Sequence, residues 1–258
     1  MVAIILAAGY ATRLYPLTMD MPKALLEIGG MTMLDRIMEK VNEIDGITKT
    51  IVVSNNKFYD HFLRWKEDYN KNSCPEPGLK ACAGAGPVIL NDMTDSEQNR
   101  LGAIGDIKFA IDELGIDDEV IIIAGDNLFD FSLRGLIDFY RDMDADCIIV
   151  KKEADAEMLK RFGVVVTSPD NLVVDFEEKP KKPKSDLAAY AIYVYKRETL
   201  PLLDIYINEG NSKDAPGSFP AWLYNKKRLA AYHFKGNCYD IGTPEVYREL
   251  CERYSNST

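Results

Sequence analysis

Val2-Ala3-Ile4-Ile5-Leu6-Ala7-Ala8-Gly9-Tyr10-Ala11-Thr12-Arg13-Leu14 is the stretch on which the fold turns. Its first five residues are apolar and mostly β-branched, the pattern of a strand buried on both faces of a sheet. Small residues follow at once, so the backbone at the strand's carboxyl end stays open to a closely approaching ligand. N–H groups in such a loop can reach a phosphate chain, and two cations, Arg13 and Lys23, stand ready to neutralise it. A dinucleotide-binding turn needs glycines two and five residues after Gly9; Ala11 and Leu14 hold those places, and the fingerprint fails. The Gly-Lys-Ser/Thr of a Walker A loop is also absent.

Outward from this loop, apolar runs alternate with amphipathic segments through residue 150. Strands are predicted at Val2–Leu6, Thr50–Ser54, Pro87–Leu90, Val120–Ala124 and Asp146–Val150. Helices are predicted at Met33–Ile44, Phe58–Tyr69, Leu101–Leu114 and Leu133–Met143, the last with Ser132 as N-cap. Such alternation builds a parallel sheet with helices on both sides. Beyond Lys151 the rhythm changes. Strands at Gly163–Thr167 and Leu172–Phe176 flank a turn, further strands fall at Ala188–Tyr195 and Arg228–Phe234, and helices fall at Leu200–Asn208, Phe219–Asn225 and Pro244–Tyr254. The expected fold class is α/β: a Rossmann-like, doubly wound, mostly parallel or mixed sheet in a single domain over residues 1–258.

Composition narrows the function. With 258 residues and 47 % of them hydrophobic, the chain can bury one large core. A formal net charge of −10 argues against a nucleic-acid partner; an anionic substrate must be met by a few local cations. No apolar stretch approaches the ~20 residues of a membrane span, and the opening run is too short for a signal sequence. A cytoplasmic location and no membrane partner are therefore expected. Five cysteines, an odd number without C-x-x-C spacing, and only two histidines argue against a structural zinc site. Cys74 and Cys82, in a Pro/Gly-rich loop, are the pair with room for another role.

Three further segments carry chemistry. Ala124-Gly125-Asp126-Asn127 places a carboxylate at the end of a predicted strand, where ligands gather in open α/β sheets. Tyr239-Asp240-Ile241-Gly242-Thr243-Pro244 places another before a helix. Taken alone, Asp126 reads better as a turn former and Asp240 reads equally well as one, but two carboxylates together with substrate phosphates suit Mg²⁺. Phe176-Glu177-Glu178-Lys179-Pro180 offers a carboxylate for hydroxyls and a lysine for a phosphate.

In this order the segments resemble the nucleotidyltransferases that make nucleotide sugars, the glucose-1-phosphate thymidylyl- and uridylyltransferases. Their signature L-A-A-G-x-G-T-R-L-x-P-L-T…P-K-x-L is matched over Leu6–Leu25 at nearly every position. Gly-Asp-Asn is matched at Gly125–Asn127, Glu-Glu-Lys-Pro at Glu177–Pro180 with Phe162-Gly163-Val164 before it, and Asp-x-Gly-Thr-Pro at Asp240–Pro244. Ala11 replaces the second signature glycine. Asn91-Asp92-Met93-Thr94 and Asn99-Arg100-Leu101-Gly102-Ala103-Ile104 stand where the thymidylyltransferases carry a Q-P-S-P-D-G-L-A-type segment. This region is similar to the phosphocholine cytidylyltransferase branch, so base and acceptor stay open.

The resemblance implies a GT-A-like fold, with a nucleotide-binding half at residues 1–150 and an acceptor-binding half at 151–258. It implies an enzyme that transfers a nucleoside monophosphate from a nucleoside triphosphate to a sugar 1-phosphate, giving an NDP-sugar and pyrophosphate, with Mg²⁺ as cofactor. The alternatives are a cytidylyltransferase acting on phosphocholine or another phospho-alcohol or phosphonate, and a non-catalytic nucleotide sensor. The implied nucleotide site comprises Leu6, Ala7, Ala8, Gly9, Tyr10, Ala11, Thr12, Arg13, Lys23, Asn91, Arg100, Gly102 and Asp126, with Arg13 and Lys23 catalytic. The implied acceptor site comprises Asn127, Gly163, Glu178, Lys179 and Tyr190, and Asp126 and Asp240 hold the metal. A trimethylammonium acceptor calls for an aromatic cage, for which Tyr190, Tyr193 and Trp222 are candidates. The expected partners are the triphosphate and a phosphorylated small-molecule acceptor; a homo-oligomer stays open.

Overall fold

The computed structural model describes residues 1–73 and 86–255; Cys74 and Cys82 lie outside them. In chain order the elements are β1 (Val2–Leu6), β2 (Glu27–Ile28), β3 (Met31–Thr32), α1 (Met33–Asn42), β4 (Lys49–Ser54), α2 (Tyr59–Ser73), β5 (Val88–Asn91), α3 (Ala103–Glu113), β6 (Val120–Ala124), β7 (Asn127–Phe129), α4 (Arg134–Met143) and β8 (Asp146–Lys152). They continue with α5 (Ala156–Leu159), β9 (Gly163–Thr167), β10 (Val173–Glu178), β11 (Leu187–Tyr195), α6 (Leu202–Asn208), α7 (Ser218–Leu223), β12 (Leu229–His233), β13 (Cys238–Asp240) and α8 (Pro244–Ser255).

Nine of the described strands form one sheet in the order β10-β9-β11-β6-β1-β4-β5, with β8 beside β11 and β12 beside β8. Strands β6, β1, β4 and β5 run parallel, whereas β11 is antiparallel to β6, β8 and β9. The sheet is therefore mixed. Alternation along β1 explains its unbroken apolar run: Ala3 and Ile5 enter one core with α1, α2 and α4, while Val2 and Ile4 enter the other with α3, α6 and α7. Burial on both faces leaves no position for a polar residue.

Helix α1 starts where its sequence caps it. The Thr32 hydroxyl accepts the Asp35 N–H at 3.0 Å, and the Asp35 carboxylate accepts the Thr32 N–H, a reciprocal cap of a kind contributing about 1 kcal/mol. For α4 the expected cap is displaced by one residue. Leu133, not Ser132, takes the N-cap position, and the Ser132 hydroxyl accepts the Arg134 N–H at 3.3 Å from just outside it.

A small ribbon has the largest consequence for function. Strands β7 and β13 pair antiparallel with Asp240 opposite Asn127. Each has three residues, too few for a readable period. Behind the ribbon, α8 closes a separate core of Leu26, Ile28, Met33, Leu128, Ile241 and Leu250. Among the described residues no helix is long and apolar enough to cross a membrane.

Candidate active site

At the centre of the sheet the carboxyl ends of β1 and β6 lie side by side, with Leu6 opposite Ala124. The loop leaving β1 is held at two points. Asn55, fully buried at the end of β4, donates its Nδ2–H to the Ala8 carbonyl at 2.8 Å. Thr18, also fully buried, donates its hydroxyl to the Ala11 carbonyl at 2.8 Å. Ala11 takes a left-handed conformation, with φ 48° and ψ 39°. That explains why a glycine fits the signature there; alanine carries a cost of roughly 1–2 kcal/mol, which the Thr18 bond helps offset.

Two glycines in the region have different reasons. A Cβ on Gly9 would meet nothing within 4 Å, so a side chain there would stand in open space above the loop. A Cβ on Gly125 would come within 2.8 Å of the Leu6 carbonyl. Gly125 is therefore set by close packing against the end of β1.

Lys23 enters on a single 3-10 turn, Lys23–Leu25. Its side chain is 12 % exposed, and its Nζ lies 2.8 Å from Asp126 Oδ2 and 3.6 Å from Asp240 Oδ1. The ribbon thus brings two acids, far apart in sequence, onto one cation. Burial works to raise the Asp126 carboxyl, but the Lys23 charge and hydrogen bond, aided by Arg13, hold it below the usual carboxylate range. Burial and the neighbouring Asp126 charge push Asp240 the other way, against the pull of Lys23, Arg13 and Arg161. Arg13 has no carboxylate within ion-pair distance among the described residues and lines the same cavity.

This cavity, of about 540 Å³, takes in Leu6 through Arg13, Lys23, Arg100, Gly102, Asp126, Asn127, Gly163, Glu178, Lys179, Tyr190 and Asp240. Sheet order divides it. Groups from β5 and α3 lie on one side of the β1–β6 centre, and groups from β9, β10 and β11 on the other. On the latter side the Glu178 carboxylate sits in a cradle of missing side chains: a Cβ on Gly217 would fall 2.1 Å from its Oε2, and one on Gly163 2.9 Å. Burial raises the Glu178 carboxyl, opposed by Lys179. The Lys179 N–H donates to the Phe162 carbonyl at 3.0 Å, tying the Glu-Glu-Lys-Pro segment to Phe162-Gly163. The Tyr190 ring packs against Phe162 and Phe234.

Two expectations are corrected. Asn91 does not line the cavity: its Nδ2–H donates to Asn56 Oδ1 at 2.9 Å and its Oδ1 accepts the Met93 N–H at 2.8 Å. Its neighbour Asp92 lines the cavity instead, because adjacent residues at a strand end point to opposite sides. Trp222 is not a cage residue; its ring stacks on Phe219 and its indole N–H donates to Glu209 at 2.7 Å. Arg100 lines the cavity and is paired there with Glu97 at 2.8 Å and Asp214 at 3.4 Å. The cavity also contains groups not anticipated, chiefly Arg161, Asp92, Asp106 and Asp214. Arg161 adjoins the Phe162-Gly163 motif, which is the one sequence signal for it.

The donor set fits a hard divalent cation. Two carboxylates converge, and no cluster of three or more His, Cys, Asp or Glu side chains suited to a metal occurs among the described residues. Asp126 and Asp240 can supply two oxygens of a Mg²⁺ shell that phosphates and water complete.

The sequence model of the family described as Nucleotidyl transferase matches residues 2–257. A Sulfolobus acidocaldarius protein with the provisional name mannose-1-phosphate guanyltransferase is 29 % identical over 250 residues, covering 96 % of this chain and 61 % of its own length. A Bacillus subtilis glucose-1-phosphate adenylyltransferase is 29 % identical over 259 residues, covering 94 % of this chain and 64 % of its own. The chain thus spans less than two thirds of the length of these relatives. A solved UDP-glucose pyrophosphorylase complexed with UDP-glucose matches with a TM-score of 0.78 over 100 % of this chain and 99 % of that one, at 22 % identity; the likeness is one of fold.

Proposed function

This chain belongs to the nucleotidyl transferase family, and we propose that it transfers a nucleoside monophosphate from a nucleoside triphosphate to a sugar 1-phosphate. The observation that carries the reading is Lys23 seated between Asp126 and Asp240, in a cavity open to both halves of the sheet. The names of the relatives, a mannose-1-phosphate guanyltransferase and a glucose-1-phosphate adenylyltransferase, support the acceptor class. No observation favours a phosphocholine-type acceptor, since the aromatic cage it calls for loses Trp222.

An oxygen of the acceptor phosphate attacks the α-phosphorus, the bond from that phosphorus to the bridging oxygen breaks, and pyrophosphate leaves with the electron pair. The attacking phosphate is already an anion near neutral pH, so no general base is needed. What the site must do is bring two polyanions together. Arg13 and Lys23 meet the triphosphate, Lys179 meets the acceptor phosphate, and Glu178 accepts hydrogen bonds from acceptor hydroxyls. Asp126 and Asp240 would hold Mg²⁺, which when bound would supply charge neutralisation at the phosphates. Such fixed positive groups act most strongly where charge develops in the transition state.

The direct test is a matrix of nucleoside triphosphates against sugar 1-phosphates and phospho-alcohols, scored by pyrophosphate release with Mg²⁺. One triphosphate with one sugar phosphate is expected to give equal amounts of pyrophosphate and NDP-sugar; no release from any pair would remove the reading.

Two substitutions separate the halves. Gly9→Ala is expected to leave the melting temperature unchanged, because the new methyl meets no protein atom within 4 Å. It is expected to raise the KM for the triphosphate at least about tenfold, the loss of about 1.4 kcal/mol of binding. An unchanged KM would show that the loop backbone does not approach the nucleotide. Gly217→Ala drives a Cβ to 2.1 Å from Glu178 Oε2 and must push that carboxylate out of its cradle. The KM for the acceptor is expected to rise roughly tenfold or more, as for loss of a hydrogen bond to a charged group, with the KM for the triphosphate unaltered. An effect confined to the triphosphate would reassign Glu178.

A further inference from the structure

We propose that Asp92 and Asp106 read the nucleobase and select one bearing an exocyclic amine, that is guanine, adenine or cytosine, over uracil and thymine. The proposal rests on the nucleotidyl-transfer reading and names the triphosphates that the site takes.

Asp106 lies in the first turn of α3 and lines the cavity on the β5–α3 side. It is 7 % exposed, and its Oδ1 has no hydrogen-bond partner. A buried carboxyl oxygen left without a donor is costly to the fold, and a ligand N–H would complete it. Asp92 lines the same wall and is 5 % exposed. Its Oδ1 is already satisfied, accepting the Thr94 N–H and hydroxyl at 2.8 Å each. Thr94 in turn contacts the Tyr10 hydroxyl at 3.2 Å, so the pair is fixed to the loop that approaches the phosphates. The free position is therefore on Asp106.

The wall is rich in acceptors and poor in donors. Asp106 hydrogen-bonds to Asp92, and burial followed by the Asp92 charge and that bond pushes Asp106 up to about 8. Near neutral pH Asp106 thus keeps its proton, and its unpartnered Oδ1 is left to accept. Arg100, a cation lining the same cavity, is occupied by Glu97 and Asp214. Uracil and thymine, with two carbonyl oxygens and one N–H on the edge they present, find no matching donors here. An exocyclic amine supplies the donor that Asp106 Oδ1 lacks, as an aspartate or glutamate oxygen accepts from an amino group in nucleic-acid readout.

The test is equilibrium binding of GTP, ATP, CTP, UTP and dTTP to the full chain with Mg²⁺, by calorimetry. At least one amine-bearing triphosphate is expected to bind at least about tenfold more tightly than both UTP and dTTP, within the discrimination of one good base contact. The des-amino analogue of the preferred nucleotide, which needs no variant, is expected to lose that advantage. Asp106→Ala is expected to bring the ratio to near unity by weakening the amine-bearing nucleotide alone, with unchanged circular dichroism. UTP or dTTP binding as tightly as the others, full affinity of the des-amino analogue, or an unchanged ratio in a folded Asp106→Ala would overturn the proposal and leave nucleotidyl transfer standing. Failure of every triphosphate to bind would instead remove the transfer reading, and this inference with it.

Discussion

Lys23→Ala is expected to lower kcat by roughly a hundredfold to a thousandfold (about 2.7–4 kcal/mol), the range found on removing one well-placed group that stabilises transition-state charge. The structure gives the reason. Lys23 is nearly buried and carries the cation on which Asp126 and Asp240 converge. Without it, two carboxylates face each other, and the triphosphate meets net negative charge at the point where its own charge is greatest. The same geometry gives a second readout. The variant is expected to melt below the wild type in metal-free buffer and to regain stability on adding Mg²⁺ by more than the wild type gains, because a divalent ion replaces the lost cation. Steady-state kinetics and thermal melts with and without Mg²⁺ check both. Near-wild-type turnover would remove Lys23 from the mechanism.

Asp126→Asn is expected to reduce kcat/KM at least about a hundredfold, or about 2.7 kcal/mol, and to raise the Mg²⁺ concentration needed for half-maximal rate. Asp240→Asn is expected to do less. The asymmetry follows from their surroundings: burial opposes ionisation of both, but the Lys23 hydrogen bond keeps Asp126 charged, whereas the Asp126 charge discourages ionisation of Asp240. Asparagine at 126 keeps the shape and one oxygen, so the loss measures charge more than packing. Parallel Mg²⁺ titrations of the two variants check the order, and a larger loss in Asp240→Asn would contradict the assignment of Asp126 as the principal anion.

What could be read from the sequence follows from how local the determinant is. The β1 strand and its loop lie within one short stretch, and burial on both faces writes itself into an unbroken apolar run, so both were legible. The strand ends at Ser54 and Ala124 were legible for the same reason. The meeting of Asp126 with Asp240 was not legible from spacing. It depends on β7 and β13, too short to show alternation, and only the ordered family motifs point to it. Asn91 and Asp92 differ by one residue at a strand end, where parity alone decides which side chain faces the cavity. Asp106 is hidden in the sequence because its segment shows the helical spacing of Ile104, Ile107 and Ile111, whereas its own burial comes from tertiary packing. Trp222 is a cage candidate by residue type alone, and type says nothing of which neighbours a helix presents to it.

The proposed joint grip of Asp126 and Asp240 on a divalent ion at the phosphates is what the mechanism depends on most. Its most direct test is Mn²⁺ binding, read by electron paramagnetic resonance, with the non-hydrolysable α,β-methylene analogue of the preferred triphosphate. The wild type is expected to bind Mn²⁺ far more tightly with the analogue than without it, and Asp126→Asn and Asp240→Asn are each expected to lose at least about tenfold in affinity, no less than the loss of a group supporting a metal ligand. Unchanged Mn²⁺ affinity in either folded variant would contradict the claim.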